Sequence, residues 1–160
     1  MNAPDILAYG HRLVLQTFDG LPPDLWNRSG VTTRWSPRDV LAHLASYELM
    51  LGDAFESVLG RQPTPTLDHM RADHTAFNDS EVVRREGHTP EQILREYTEA
   101  HERVIALAAE LGPDRLRQPG TIPWYGEGYS LDDLVVYANY AHKREHCGQV
   151  RQFRLRLPGA

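Results

Sequence analysis

The sequence predicts an all-α protein, a four-helix bundle whose long second-to-third crossover connection carries a short extra helix. Two observations support this fold class: apolar residues recur at spacings of three and four along most of the chain, and strand-like alternation is scarce. Proline, glycine and polar residues separate the periodic segments, and the connections are compatible with antiparallel neighbouring helices. Since 160 residues can bury one core, we expect residues 1–160 to form a single domain.

The first two helices are predicted from apolar spacing and from residues that favour helix starts. The first spans about residues 4–18 and precedes two prolines, which cannot continue a helix. The second starts with Ser36 as N-cap, followed by Pro37 at the first helical position and Asp39 three residues after the cap. Its apolar residues recur as far as Val58.

The second half of the chain contains one weak and two strong helical segments. Residues 67–85 have helical spacing but contain a polar Asn-Asp-Ser run, so we expect one shorter helix beside the bundle. The third helix starts with Thr89 as N-cap and stops at Gly112, which a proline follows. The fourth helix starts at Ser130, and its predicted inward face comprises Leu131, Val135, Ala138, His142, Gln149 and Phe153.

The net charge and the single cysteine limit the possible partners and the location of the protein. The net charge is −5 and no basic run is present, which disfavours a non-specific grip on nucleic-acid phosphates. No apolar run reaches membrane-spanning length, and the N-terminus lacks the basic and apolar regions of a signal peptide. Cys147 is the only cysteine, so an internal disulfide is impossible. We therefore expect a cytoplasmic protein with no nucleic-acid partner and no membrane partner.

Three histidines are the candidate metal ligands. His142 and His146 are four residues apart on the fourth predicted helix, where neighbouring imidazoles can chelate one ion. His43 lies on the apolar face of the second helix, so all three rings are expected to point into the core. Three imidazole nitrogens leave coordination positions open for water or substrate, as a catalytic metal requires. Alternatively, His43 could bond to Glu48, a tyrosine or a backbone carbonyl, and His142 could pair with Glu145 or a tyrosine.

Two segments carry a resemblance to a known family. Residues 35–44 read Trp-Ser-Pro-Arg-Asp-Val-Leu-Ala-His-Leu, and residues 142–146 read His-Lys-Arg-Glu-His. Together with the helix order, these motifs resemble the DinB/YfiT-like superfamily of metalloenzymes over nearly the whole chain. The resemblance implies a four-helix bundle that binds a divalent metal ion through His43, His142 and His146. It also implies a homodimer.

The same resemblance implies a range of activities. Some members of the superfamily look like enzymes that use bacillithiol or mycothiol to transfer a thiol or to isomerise a substrate through a thiol adduct. We therefore expect a metal-dependent transferase, isomerase or hydrolase that acts on a small electrophile in stress or detoxification. A low-molecular-weight thiol would be its co-substrate, and zinc, nickel or iron its metal.

Glu48, one turn beyond His43, is the candidate catalytic base, whereas Glu145 is expected on the helix surface. Two other interpretations of the protein remain open. The first is a protein that holds a metal ion or a reactive small molecule without turnover, as a self-protection protein would. The second is a structural stress protein whose histidines form hydrogen bonds and bind no metal.

Several further side chains have more than one possible role. The aromatic loop before the fourth helix, with Trp124, Tyr125 and Tyr129, could roof a pocket or plug the end of the bundle. Cys147 is expected to be a buried structural thiol. His101 is expected at the edge of the core. The other histidines are expected on the surface or in loops, and they are His11, His69, His74 and His88.

Overall fold

The computed structural model describes residues 2–156, and within that range it contains helices and no strand, which confirms the all-α class. The last three helical segments, which together span residues 131–155, follow one another without a break in the helical backbone. None of the helices in this range combines the length and the apolar character needed to cross a bilayer. The elements are α1 (Ala3–Phe18), a 3-10 helix (Pro23–Leu25), α2 (Pro37–Val58), α3 (Pro65–Ala72), α4 (His74–Arg84), α5 (Pro90–Arg117), α6 (Leu131–Asp133), a π-helix (Leu134–Tyr140) and α7 (Ala141–Leu155).

The predicted starts of the long helices are confirmed, because local hydrogen bonds fix each of them. In each case the side chain of the N-cap residue accepts a hydrogen bond from the backbone N–H of the residue three positions later. The side chain of that later residue in turn accepts a hydrogen bond from the backbone N–H of the N-cap residue. These reciprocal pairs are Ser36 with Asp39 at α2, Thr89 with Gln92 at α5, and Ser130 with Asp133 at α6. Each pair depends on four consecutive residues, so the sequence alone is enough to locate these helix starts.

The crossover between α2 and α5 differs from the prediction. The sequence predicted one shorter helix over residues 67–85, whereas the structure has two helices with a break at Asp73. The side chain of Asp73 accepts a hydrogen bond of 2.9 Å from the backbone N–H of Ala76, so it caps α4 where α3 has ended. The polar run Asn78-Asp79-Ser80, which could have interrupted the helix, lies within α4.

Helix α5 breaks at Gly112, as predicted, but a further helical turn follows the break. Gly112 has φ +73°, a conformation that glycine adopts without steric strain. Pro113 then occupies the first turn of a new helical segment, where its missing N–H is not needed. The helix therefore resumes after the kink, and α5 continues to Arg117.

The last helix contains a π-helix that changes the register of its side chains. A π-helical turn holds more residues than an α-helical turn, so the faces that follow it are rotated. The predicted inward face included Ala138 and Gln149, but both are only half-buried. In contrast, Asn139 is 3% exposed and Lys143 is 1% exposed. The prediction therefore missed Asn139 and Lys143, whereas Ala138 does pack against the core as a half-buried residue.

Two apolar clusters form the core: α1, α2 and α5 contribute to both, α7 contributes to the first, and α6 and the π-helix contribute to the second. α2 packs most extensively against α5, while α1 packs against α7 and the π-helix. One cluster contains Val14, Leu41, Ile93 and Val150, and the other contains Leu7, Phe55, Val104 and Val135. Between the clusters lies a set of polar side chains that we call the polar layer: His11, Glu48, His101, Asn139 and Lys143.

Candidate metal centre

The three histidines predicted as ligands converge on one point. α2 supplies His43, and α7 supplies His142 and His146, which are one helical turn apart. The Nε2 atom of His142 lies 2.8 Å from Nε2 of His43 and 2.9 Å from Nε2 of His146. Each of the three residues offers a nitrogen within 4.8 Å of the other two. This arrangement could hold a metal ion.

The surroundings keep all three imidazoles neutral. Burial, with the repulsion between neighbouring protonated rings, lowers the pKa of His43 from 6.5 to about 2 and that of His142 to about 3. Burial also lowers the pKa of His146, although its hydrogen bond with Gln149 opposes the shift. Neutral imidazole is the form that binds a metal ion, so the rings are in their ligating form at neutral pH.

The hydrogen bonds of His146 determine which of its nitrogens carries the proton. Its Nδ1 atom lies 2.8 Å from the amide oxygen of Gln149, which can only accept, so Nδ1 donates. The amide nitrogen of Gln149 in turn donates to the carboxylate of Glu145 across 3.4 Å. The Nε2 atom of neutral His146 therefore presents a lone pair to the other two rings. Outer hydrogen bonds of this kind fix the tautomer and the orientation of metal ligands.

The alternative partners suggested by the sequence are not observed. Within residues 2–156, the buried Nδ1 atoms of His43 and His142 have no hydrogen-bond partner, and neither ring bonds to a carboxylate or a tyrosine. The Nε2 atom of His142 faces two other nitrogens, but one nitrogen has a single proton or a single lone pair. One hydrogen bond therefore cannot satisfy both contacts.

A divalent cation fits this donor set better than protons do, because it can accept all three lone pairs. Nitrogens bound to such an ion at about 2.0–2.1 Å lie roughly 3 Å apart. The Nε2 atom of His142 lies at about this separation from Nε2 of His43 and from Nε2 of His146. Three ligands also leave positions open in the coordination sphere. The residues present could therefore hold a divalent metal ion that keeps open coordination positions.

Two aromatic rings enclose the histidines. The ring of Tyr47 lies 4.2 Å from that of His142 and 4.8 Å from that of His43. The ring of Trp35 lies 4.7 Å from that of His43, between centroids. The hydroxyl of Tyr47 donates to the side-chain oxygen of Asn78 on α4 over 3.1 Å. The crossover therefore helps to position one wall of the site.

Glu48, the candidate catalytic base, is fully buried and is bonded to partners outside the histidine cluster. It accepts hydrogen bonds from Nδ1 of His101 (2.8 Å) and from the amide of Asn139 (3.0 Å), and Nζ of Lys143 lies 2.6 Å from it. Burial raises the pKa of this carboxyl, but the charge of Lys143 and the hydrogen bonds outweigh it and lower the pKa to about 2. Its catalytic role remains a prediction.

The sequence interpretation missed parts of the polar layer. His11 was assigned to the surface or a loop, but its ring stacks on that of His101 at 4.0 Å, and burial lowers its pKa to about 4. Its spacing of four from Leu7 and three from Val14 was the available signal, because those residues define the buried face of α1. Lys143 had a similar signal, because it lies four residues before Cys147 and seven before Val150 on the buried face of α7, but its charge argued against burial.

Two other assignments agree with the structure. Cys147 is buried, and burial raises the pKa of its thiol, as expected for a structural cysteine. Glu145 is exposed on the surface of α7.

Comparison with known proteins identifies a family. A family model described as the DinB superfamily matches residues 7–150, a range that contains all three candidate ligands. No curated protein and no solved structure matches the chain.

Proposed function

The chain belongs to the DinB superfamily, and we propose that it is a divalent-metal-dependent enzyme that activates a thiol or a water molecule for attack on a small electrophile. The observation that supports this proposal is the convergence of three neutral Nε2 atoms, from two rigid helices, with too few protons to satisfy one another.

In this proposal His43, His142 and His146 hold the metal ion. When bound, a divalent ion supplies Lewis-acid chemistry, which lowers the pKa of a thiol or of water and so provides a nucleophile near neutral pH. The rings of Trp35 and Tyr47 exclude water from the histidine side of the site. The backbones of α2 and α7 orient the ligands.

The family resemblance supports a low-molecular-weight thiol as co-substrate and a role in detoxification. A hydrolase would use water in the same position. The hydrogen bonds of Glu48 favour direct activation of the nucleophile by the metal, because this carboxylate is already engaged by His101, Asn139 and Lys143.

The alternative is a protein that binds a metal ion or a small molecule without turnover. One observation favours it: among residues 2–156, no carboxylate forms a hydrogen bond or an ion pair with the three histidines. A general acid or base must lie within hydrogen-bond reach of the proton it transfers. Turnover would therefore depend on the substrate or on a bound thiol for its proton transfers.

The test is the metal content of the untagged protein, measured by elemental analysis beside His43→Ala and the double variant His142→Ala/His146→Ala. His88→Ala is the matched control, because His88 is exposed on the connection before α5. We expect about one metal ion per chain in the parent and the control and little in the other two variants. Absence of metal from the parent, also after incubation with zinc or nickel, would refute the proposal.

A second measurement separates the enzyme from the binding protein. The metal-loaded protein is incubated with a chloronitroarene as electrophile and with a panel of low-molecular-weight thiols. Thiol-dependent release of chloride that His43→Ala abolishes supports the enzyme. Stoichiometric metal without chloride release in the presence of any thiol of the panel supports the binding protein.

A further inference from the structure

A cavity of about 380 Å³ lies beside the histidine cluster, and its size falls in the range of small-molecule sites. Tyr47 is common to the two: its ring contacts His43 and His142, and it also lines the cavity. The rest of the lining includes Met50 from α2 and Trp124 from the loop before α6. The aromatic loop thus borders a pocket, one of the two roles that the sequence left open.

The charge of the lining is opposite to that of the whole chain. The chain has a net charge of −5, yet the cavity is lined by Arg71 and His74 and by no carboxylate. Asp73 lies between these two residues in the sequence, but its side chain caps α4 by accepting from Ala76. Within residues 2–156, Arg71 is exposed and forms no ion pair. Its guanidinium is therefore available to an anion from outside the chain.

We propose that this cavity binds a small organic carboxylate with an apolar or aromatic body. The carboxylate contacts Arg71, and the body lies among Met50, Met70 and Trp124, with its far end against Tyr47. One part of this proposal, that the carboxylate is a substrate presented to the histidine site, rests on the proposed function.

The chemistry of the lining favours this class over a cation or an uncharged polar molecule. A guanidinium offers a planar pair of donors that matches the two oxygens of a carboxylate. Methionine side chains adapt to irregular apolar shapes, and an indole ring stacks on aromatic bodies. A cationic ligand would find no negatively charged side chain among the lining residues. An uncharged ligand with a polar body would give up its hydrogen bonds to water without gaining hydrogen bonds to the apolar part of the lining.

The experiment compares three ligands of one shape by isothermal titration calorimetry: 4-phenylbutanoate, its uncharged amide and the cationic 4-phenylbutylamine. The protein is the full chain, both treated with a chelator and loaded with zinc. We expect the carboxylate to bind about tenfold more tightly than the amide in both forms, and the amine to bind most weakly.

Two variants and one control locate the binding. Arg71→Ala should bring the carboxylate to the affinity of the amide, whereas Met70→Trp, which fills the cavity without changing charge, should weaken all three ligands. Arg95→Ala is the matched control, because Arg95 is an exposed arginine on α5 outside the cavity. It should bind all three ligands as the parent does.

Several results overturn the proposal: equal affinities for the three ligands, no binding at all, or an unchanged preference for the carboxylate in Arg71→Ala. Binding of the carboxylate to the zinc-loaded form alone also overturns it, since the carboxylate then binds the metal, while the proposed metal function stands. Binding to a protein that takes up no metal supports the cavity and refutes the proposed function.

Discussion

Replacing Lys143 with methionine tests whether the buried ion pair holds the polar layer together. Glu48 is fully buried, Lys143 is 1% exposed, and 2.6 Å separates Nζ from the nearer carboxylate oxygen. Methionine keeps an unbranched, flexible side chain but removes the charge. The carboxylate of Glu48 would then keep only the hydrogen bonds from His101 and Asn139.

The expected loss of stability is about 3–5 kcal/mol near neutral pH, the usual consequence of removing one partner of a buried ion pair. The free energy of unfolding of a whole domain is only about 5–15 kcal/mol, so the loss is large. Its dependence on pH has a definite sign. The folded pKa of Glu48 is lowered from 4.5 to about 2, so its stabilising contribution is complete above about pH 4.5 and is lost as the pH falls towards 2. The difference between parent and variant should therefore shrink in acid.

The assay is urea denaturation of the metal-free protein, followed by far-ultraviolet circular dichroism at neutral and acidic pH. Arg151→Met is the matched control, because Arg151 is an exposed residue of the same helix. The double variant Glu48→Gln/Lys143→Met should recover a substantial part of the loss, since it leaves no unpaired buried charge. If the free energies of unfolding of Lys143→Met and of the control differ by less than about 1 kcal/mol, the ion pair does not contribute substantially to the stability of the fold.

Three other substitutions give separate predictions. Gln149→Leu should weaken zinc binding by about 10- to 100-fold, because it removes the hydrogen bond to Nδ1 of His146. The control Gln152→Leu, at an exposed position of the same helix, should leave zinc binding unchanged. Competition with a chelating dye measures both affinities. The free energy of unfolding of the metal-free protein, measured in urea, should fall as the pH drops below 6.5. Burial lowers the pKa of His43 in the folded protein to about 2, so the unfolded ring takes up a proton at a higher pH than the folded ring. The fall should be smaller in His43→Gln. Gly126→Ala should lower the free energy of unfolding, measured in urea, by about 1–3 kcal/mol, because φ at this position is +148° and a Cβ would lie 2.6 Å from a ring carbon of Tyr129. The control Gly87→Ala should change the free energy of unfolding very little, because a Cβ at Gly87 would meet open space.

The features that the sequence predicted well are those fixed by short-range interactions. Ser36 and Asp39 satisfy each other's backbone N–H groups within one turn, so no distant contact is needed to place the start of α2. The pair His142 and His146 is similar, because a spacing of four puts both rings on one side of any helix. His43 was placed correctly because its neighbours in α2 are apolar on the same face.

The features that the sequence did not predict depend on tertiary contacts. The π-helix has no sequence signature of its own, so the rotation that it introduces between the faces of α6 and α7 was not predicted. The break at Asp73 is an exception, because a local hydrogen bond from the backbone N–H of Ala76 to the Asp73 side chain fixes it, and helical spacing alone does not reveal such a cap. The cavity beside Tyr47 arises from segments distant in the sequence, so it could not be predicted from any one of them.

The shifted register of the last helix connects the polar layer to the metal centre. Consecutive residues of an α-helix point about 100° apart, so the direction of Lys143 also sets the direction of His142. The ion pair with Glu48 holds Lys143 inward, between α1 and α2, and Gly10 permits this because a Cβ there would lie 3.1 Å from the lysine side chain. His142 then turns towards His43 on the neighbouring face of α2. The Glu48–Lys143 pair and the His43–His142 contact therefore require the same rotation of α7, on which the convergence of the three histidines depends.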